Sequence, residues 1–237
     1  MDPKEPSRHS SVLIIGASRG LGLAIAREYA ARGARVIATA RGETAPALSA
    51  LRHDHPYTVE IERVDVDDPA QIDALATRLG ERTVDLLFVV AGVSLAPVDE
   101  AAADISTEDF VRTMTTNALG VMRTVERLAD RVSQGGTIAV MSSGQGSVTN
   151  NTTGGFEVYR ASKAALNQLM RSYAARRASE GRTLLLLAPG WIRTDMGGEG
   201  AGLEIDEAVP PLVDTVEAQR GTPGLRYLDR HGATVAW

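Results

Sequence analysis

SVLIIGASRGLGLAIAREYAARG, residues 11–33, is the stretch whose reading decides the fold. Ser11 to Ile15 is a short continuous apolar run, as expected of a strand buried on both faces. It passes directly into Gly16-Ala17-Ser18-Arg19-Gly20-Leu21-Gly22. A helical pattern follows, with Leu21, Ile25 and Tyr29 on one side and Gly33 at its end. Strand, glycine-rich turn and helix form the context in which glycines let the backbone approach a pyrophosphate while helix N–H groups face its negative charge. The spacing is G-x-x-x-G-x-G rather than the commoner G-x-G-x-x-G. The candidate phosphate cradle is Gly16, Ser18, Arg19, Gly20, Leu21 and Gly22.

The next strand, RVIATAR (35–41), ends in Thr39-Ala40-Arg41-Gly42. Dinucleotide folds place an acidic residue near this point to bind a ribose hydroxyl. None is present here, and Arg41 and Arg19 converge on the region instead. Guanidinium groups bind phosphate bidentately, so two arginines without an acid favour a 2′-phosphate, and hence NADP over NAD. A third strand within 57–66 ends in Val64-Asp65-Val66, where Asp65 is in place to touch an adenine amino group. Asp67 or Asp68 then caps a helix opened by Pro69.

VDLLFVV (84–90) is a fourth buried strand and ends in Ala91-Gly92, where backbone can approach a nucleotide. A long helix begins at Ser106 and carries Asn117 in its interior; read alone, Asn117 is an exposed polar position. GTIAVMSS (136–143) is the fifth strand, with serines at its carboxyl edge. RTLLLL (182–187) is the sixth, closed by Pro189-Gly190. A helix over 210–219, begun by Asp206-Glu207, and a short strand over 225–228 complete the order. The alternation predicts one doubly wound parallel α/β domain, residues 11–237, with about seven strands and helices on both faces. MDPKEPSRHS (1–10) reads as a disordered leader.

Tyr159-Arg160-Ala161-Ser162-Lys163 opens a further long helix. Residues four apart share a helical face, so phenol and ammonium can enter one site. A neighbouring cation lowers a phenol's pKa from about 10, which would suit Tyr159 to general acid–base work.

Composition excludes several alternatives. The 237 residues carry a net charge of −5 without a basic block, which argues against nucleic acid. There are no cysteines, so disulfides and thiolate chemistry are absent, and a cytoplasmic setting is the simplest reading. No apolar run is long enough for a membrane span. The four histidines form no cluster with metal-ligand spacing, so no metal is expected.

These residues, in this order, resemble the short-chain dehydrogenase/reductase family over nearly the whole chain: Gly16-x-x-x-Gly20-x-Gly22, Asp65, Ala91-Gly92, Asn117, Ser143, Tyr159-x-x-x-Lys163, and Pro189-Gly190 with Thr194. YRASKAALN and GWIRTDMGG look most like the subgroup of the C-factor signalling protein and sniffer-type carbonyl reductases. The resemblance implies a Rossmann-like sheet, an NADP(H) cofactor and hydride transfer to or from a small carbonyl or alcohol. Tyr159 would be the proton donor, with Lys163 tuning it and binding ribose hydroxyls. Ser143 would hold the substrate oxygen, and Asn117 would distort its helix and anchor a relay water. Val66 would join Asp65 at the adenine, and Pro189, Gly190, Ile192 and Thr194 would position the nicotinamide. A homodimer or homotetramer is also implied.

Three departures stand out. Ile15 replaces the family's threonine before the first glycine, and Val89-Val90 replaces a polar pair before Ala91-Gly92. Both suggest hydrophobic packing in place of a polar tie between strands. The Ser143–Tyr159 segment is longer than the family norm, which leaves Ser142 and Ser147 as alternatives to Ser143. Residues 144–158 and 195–212 are expected to shape the substrate pocket. The alternative function is an NADP-binding regulatory or signalling protein with little turnover; such a protein has no need of Ser143, Tyr159 and Lys163 together.

Overall fold

The computed structural model describes residues 8–42 and 45–237. Seven strands form one sheet: β1 (Ser11–Ile15), β2 (Arg35–Ala40), β3 (Val59–Arg63), β4 (Val84–Val89), β5 (Val132–Met141), β6 (Thr183–Ala188) and β7 (Gly224–Asp229). Their order is β3-β2-β1-β4-β5-β6-β7, and every pairing is parallel. The order reverses between β1 and β4, and at such a point the crossovers diverge and leave a crevice at the carboxyl ends of the strands.

The helices are α1 (Gly20–Ala31), α2 (Pro46–Asp54), α3 (Pro69–Leu79), α4 (Thr107–Met114), α5 (Val121–Leu128), α6 (Glu157–Arg176) and α7 (Ile205–Gln219). Alternate residues of each central strand face opposite layers. Val12, Ile14, Val36 and Phe88 pack with α1, α2 and α7, whereas Leu13, Ile15, Leu87 and Val89 pack with α3, α5 and α6. Two covered faces explain why the strands are apolar throughout rather than alternating.

Local chemistry sets the helix ends. Asp68, rather than Asp67, caps α3, accepting from the N–H groups of Ala70 and Gln71. Ser106 accepts from Asp109 N–H at the start of α4. The last long helix starts earlier than residue 210: Glu204 and Glu207 form a capping box, and Pro210 and Pro211 lie inside α7. Each proline removes a donor from the carbonyl four residues back. Those carbonyls belong to Asp206 and Glu207, both exposed, so water can satisfy them.

The leader assigned to residues 1–10 needs correction at its end. Residues 1–7 lie outside the described residues, but His9 is fully buried. Its Nδ1 lies 2.8 Å from Glu217 on α7 and its Nε2 3.0 Å from Thr137 on β5. Glu217 also accepts from the Arg8 and His9 N–H groups. A residue in a polar segment thus acts as a structural clasp, because two buried polar partners, one on α7 and one on β5, await it.

The departure at Ile15 is resolved by packing and backbone. Ile15 is 1% exposed and clusters with Val64, Val66 and Val89. Its carbonyl accepts from both Val90 and Ala91 N–H, at 2.9 and 3.1 Å. The tie between β1 and the end of β4 is therefore carried by main chain, with apolar side chains filling the space. Among the described residues, no helix is long and apolar enough to cross a membrane.

Candidate active site

A cleft of about 550 Å³ opens over the carboxyl ends of the central strands. Every residue predicted to hold a dinucleotide lines it: Gly16, Ser18, Arg19, Gly20, Leu21, Gly22, Arg41, Asp65, Val66, Ala91, Gly92, Tyr159, Lys163, Pro189, Gly190, Ile192 and Thr194. Ser143 lines it as well, and Asn117 does not.

The glycine turn is shaped for close backbone approach. Gly16 has φ +90, and a Cβ there would lie 2.9 Å from the Ala91 backbone. A Cβ on Gly22 would lie 2.1 Å from the Gly16 carbonyl oxygen, so α1 can start only with glycine at that position. Thr39, buried in β2, fixes the turn: its Oγ1 accepts from Gly16 N–H at 3.0 Å and its carbonyl from Ala17 N–H at 2.7 Å. This anchor was not identified from the sequence, although a threonine within an apolar strand was its signal. Arg41 is exposed at the end of β2. Arg19 pairs with Asp195 at 2.6 Å, with both side chains 73% exposed, a solvent-screened contact that a phosphate can displace. Asp65 steadies the turn into α3 by accepting from Asp67 N–H at 3.0 Å. The Gly16–Gly22 cradle and the two guanidinium groups fit a dinucleotide bearing a 2′-phosphate.

The three serines left open by the sequence separate cleanly. Ser142 is buried and donates to Asn167 Oδ1 at 2.6 Å. Ser147 is buried and accepts from Asn150 N–H at 3.1 Å. Ser143 is half-buried, and its hydroxyl faces the Tyr159 phenol closely enough to act on its pKa. The Ser143 carbonyl accepts from the Tyr227 hydroxyl on β7. The sequence suggested a strand at Tyr227 but gave no reason to connect it to Ser143; only the β6–β7 pairing brings them together.

Lys163 is 3% exposed, and its Nζ donates to the Met141 carbonyl at 2.9 Å, 5.7 Å from the Tyr159 ring centre. Gly146 makes room for it: a Cβ there would lie 2.9 Å from Lys163 Cβ. Burial lowers the Lys163 pKa to about 8. The expected lowering of the Tyr159 pKa by this cation does not appear. Burial raises the phenol, the Ser143 hydroxyl opposes it, and the charge of Tyr227 raises it further. Desolvation dominates both groups because neither has an ionised partner of opposite sign.

Asn117 is fully buried rather than exposed. It sits in a π-helical turn, Thr115–Gly120, between α4 and α5. Its Oδ1 accepts from Val93 N–H at 2.7 Å, and its Nδ2 donates to Val93 O at 2.8 Å and Ser162 Oγ at 3.0 Å. The side chain therefore clamps the segment after β4 to α6, and both of its amide protons are committed there. π-Turns of this kind frequently mark functional sites.

Both segments expected to shape a substrate pocket line the cleft: Gln145 and Phe156 from one, Asp195, Met196 and Gly197 from the other. Phe156 adopts φ +53, the one non-glycine residue with positive φ among those described, and its N–H donates to Val98 O at 2.6 Å.

The sequence matches the short chain dehydrogenase family model over residues 10–201. A Burkholderia multivorans protein assigned to the short-chain dehydrogenases/reductases, crystallised with bound NADP, is 49% identical. That alignment covers 97% of this chain and all of that one, with a TM-score of 0.95. A carbonyl reductase from Pseudomonas aeruginosa PAO1, solved in complex with NADP, is 37% identical over 96% of this chain and 99% of its own, with a TM-score of 0.88. The C-signal protein of Myxococcus xanthus is 37% identical over 166 residues, 69% of this chain and 99% of its own length. The resemblance to the C-factor and carbonyl reductase subgroup is thus borne out.

The low Lys163 pKa has a sign that can be measured. Its folded value of about 8 lies below the ordinary lysine value of 10.5, so the unfolded chain binds the extra proton between the two. Ligand-free wild type is expected to gain stability over Lys163→Met as pH rises from 8 to 10.5, by about 3 kcal/mol in total. Urea unfolding across that range checks it; a difference independent of pH would contradict the assignment.

Proposed function

The chain belongs to the short-chain dehydrogenase family, and from that premise we propose that it is a cytoplasmic, NADPH-dependent carbonyl reductase acting on small-molecule ketones or aldehydes. The observation that carries this reading is that Ser143, Tyr159 and Lys163 open onto the same cleft as the Gly16–Gly22 turn. When bound, the nicotinamide supplies or accepts the hydride.

The protein's own groups do the rest. The backbone of Gly16, Ser18, Gly20, Leu21 and Gly22 receives the pyrophosphate, and Arg19 and Arg41 grip the 2′-phosphate. Asp65 and Val66 flank the adenine, and Ala91 and Gly92 admit the ribose. Pro189, Gly190, Ile192 and Thr194 hold the nicotinamide in place. Ser143 hydrogen-bonds the substrate oxygen, and Tyr159 gives that oxygen its proton. A phenol whose pKa is raised by burial holds its proton until an oxyanion develops, which suits a general acid. Lys163, with a pKa near 8, binds ribose hydroxyls and returns a proton to the tyrosine. Asn117 braces the site through Val93 and Ser162. The family resemblance adds a homodimer or homotetramer to this reading.

The likeness to a protein named C-signal supports a second reading, a nucleotide-binding signalling protein with little turnover. A measurement of NADPH consumption with a panel of ketones and quinones separates the two. Wild type is expected to turn over, and Tyr159→Phe to retain cofactor binding while losing at least about 100-fold in rate. A Tyr159→Phe protein as fast as wild type would remove Tyr159 from the mechanism, and a wild type without turnover would favour the signalling reading.

Arg41→Ala is expected to weaken NADPH binding by about tenfold and to leave NADH binding unchanged, as a lost charge-assisted phosphate contact requires. Fluorescence titration checks this. Equal losses for both cofactors would place Arg41 elsewhere than the 2′-phosphate.

A further inference from the structure

Resting on the carbonyl reductase reading, we propose that Gln145 selects the substrate. The preferred class is a neutral ketone or aldehyde with an apolar body and a hydrogen-bond donor beside the carbonyl, an α-hydroxy carbonyl compound in its simplest form.

Gln145 lies two residues beyond Ser143, in the short 3-10 turn Gly144–Gly146. Its backbone N–H donates to Ser143 Oγ at 3.2 Å, which ties its position to the hydroxyl that holds the substrate oxygen. Its side chain lines the cleft, and its Oε1 is buried with no hydrogen-bond partner among the described residues. An unpartnered buried acceptor carries its full desolvation cost, and turning the carboxamide into the cleft that Gln145 lines, onto a ligand O–H or N–H, would relieve it. By contrast Ser142, Ser147 and Asn167 around it are all hydrogen-bonded within the protein. Gln145 is the polar side chain of this turn left for something outside the chain.

Apolar side chains of the same cleft supply the rest of the specificity. Trp191 and Met196 line the cleft although 56% and 50% exposed. The Trp191 ring is held in place, with Nε1 donating to the Gly197 carbonyl at 2.8 Å. A fixed, exposed indole and a thioether side chain form an apolar platform. With Arg19 taken up by the 2′-phosphate, Asp195 is left as a carboxylate at the rim, which disfavours an anionic substrate. A site with a fixed polar group discriminates strongly against an analogue lacking the complementary group, whereas an apolar wall alone does not.

The test is a matched pair, 2-hydroxyacetophenone and acetophenone, with wild type and Gln145→Met, a change close in length that removes the carboxamide. The hydroxyl also activates the carbonyl, so the informative quantity is the change in preference on mutation. The kcat/KM ratio of hydroxylated to plain ketone is expected to fall by at least about tenfold in Gln145→Met. Acetophenone turnover is expected to persist, and the melting temperature to stay level or rise as the unpartnered acceptor is removed. An unchanged ratio overturns the proposal, as does an equal loss on both ketones with a lower melting temperature, the signature of a merely structural glutamine. Dissociation constants of both ketones for the NADP-loaded protein, read by tryptophan quenching, give the same ratio without turnover. If neither ketone is reduced, the carbonyl reductase reading fails while those constants still decide for or against Gln145.

Discussion

A buried ammonium with no carboxylate beside it is the constraint on which the rest of this site depends. Lys163 Nζ is held by one carbonyl, that of Met141 at the end of β5, in a side chain that is buried at the wall of the cleft. Such a group is costly to desolvate, and its pKa falls accordingly to about 8. The surrounding chain accommodates it. Gly146 leaves the space that the lysine fills. Asn117 and Ser162 fasten α6 to the segment after β4, which keeps Tyr159 and Lys163 in register with the strand ends. The cost of burying Lys163 makes structural sense if a bound ligand provides the hydroxyl or anionic partners that the protein withholds.

The sheet provides the rigid frame for this arrangement. Apolar packing on both faces fixes seven parallel strands, and the reversal of order between β1 and β4 opens the crevice. Polar residues inside that apolar frame then do specific work. Thr39 reaches from β2 to hold the glycine turn. Tyr227 reaches from β7 to the carbonyl of Ser143. His9 bridges α7 and β5 from a position before the first strand. Each joins elements that are distant in sequence.

That distance explains what could be read in advance. The strand–turn–helix pattern at 11–33 and the alternation after it were legible because periodicity and glycine spacing are local. The cradle residues, Ser143, Tyr159 and Lys163 followed from their places at strand ends or on one helical face. The role of His9 was not legible, since its partners Thr137 and Glu217 lie more than a hundred residues away and only the folded chain brings them together. Asn117 looked exposed because a π-turn shifts the helical register by which a side chain's facing is judged. The direction of the Tyr159 shift was misjudged because i, i+4 proximity speaks for the cation and says nothing of burial, which proves the larger effect.

The central claim is that one cleft brings a nicotinamide and a carbonyl together so that hydride passes directly between them while Tyr159 supplies the proton. Isotope transfer tests it most directly. With NADPH deuterated at the transferable C4 position and a ketone that the protein reduces, the account expects one deuterium on the new carbinol carbon and a solvent-derived hydrogen on its oxygen. Label retained in the cofactor, or lost to water instead of appearing on the carbinol carbon, would contradict it.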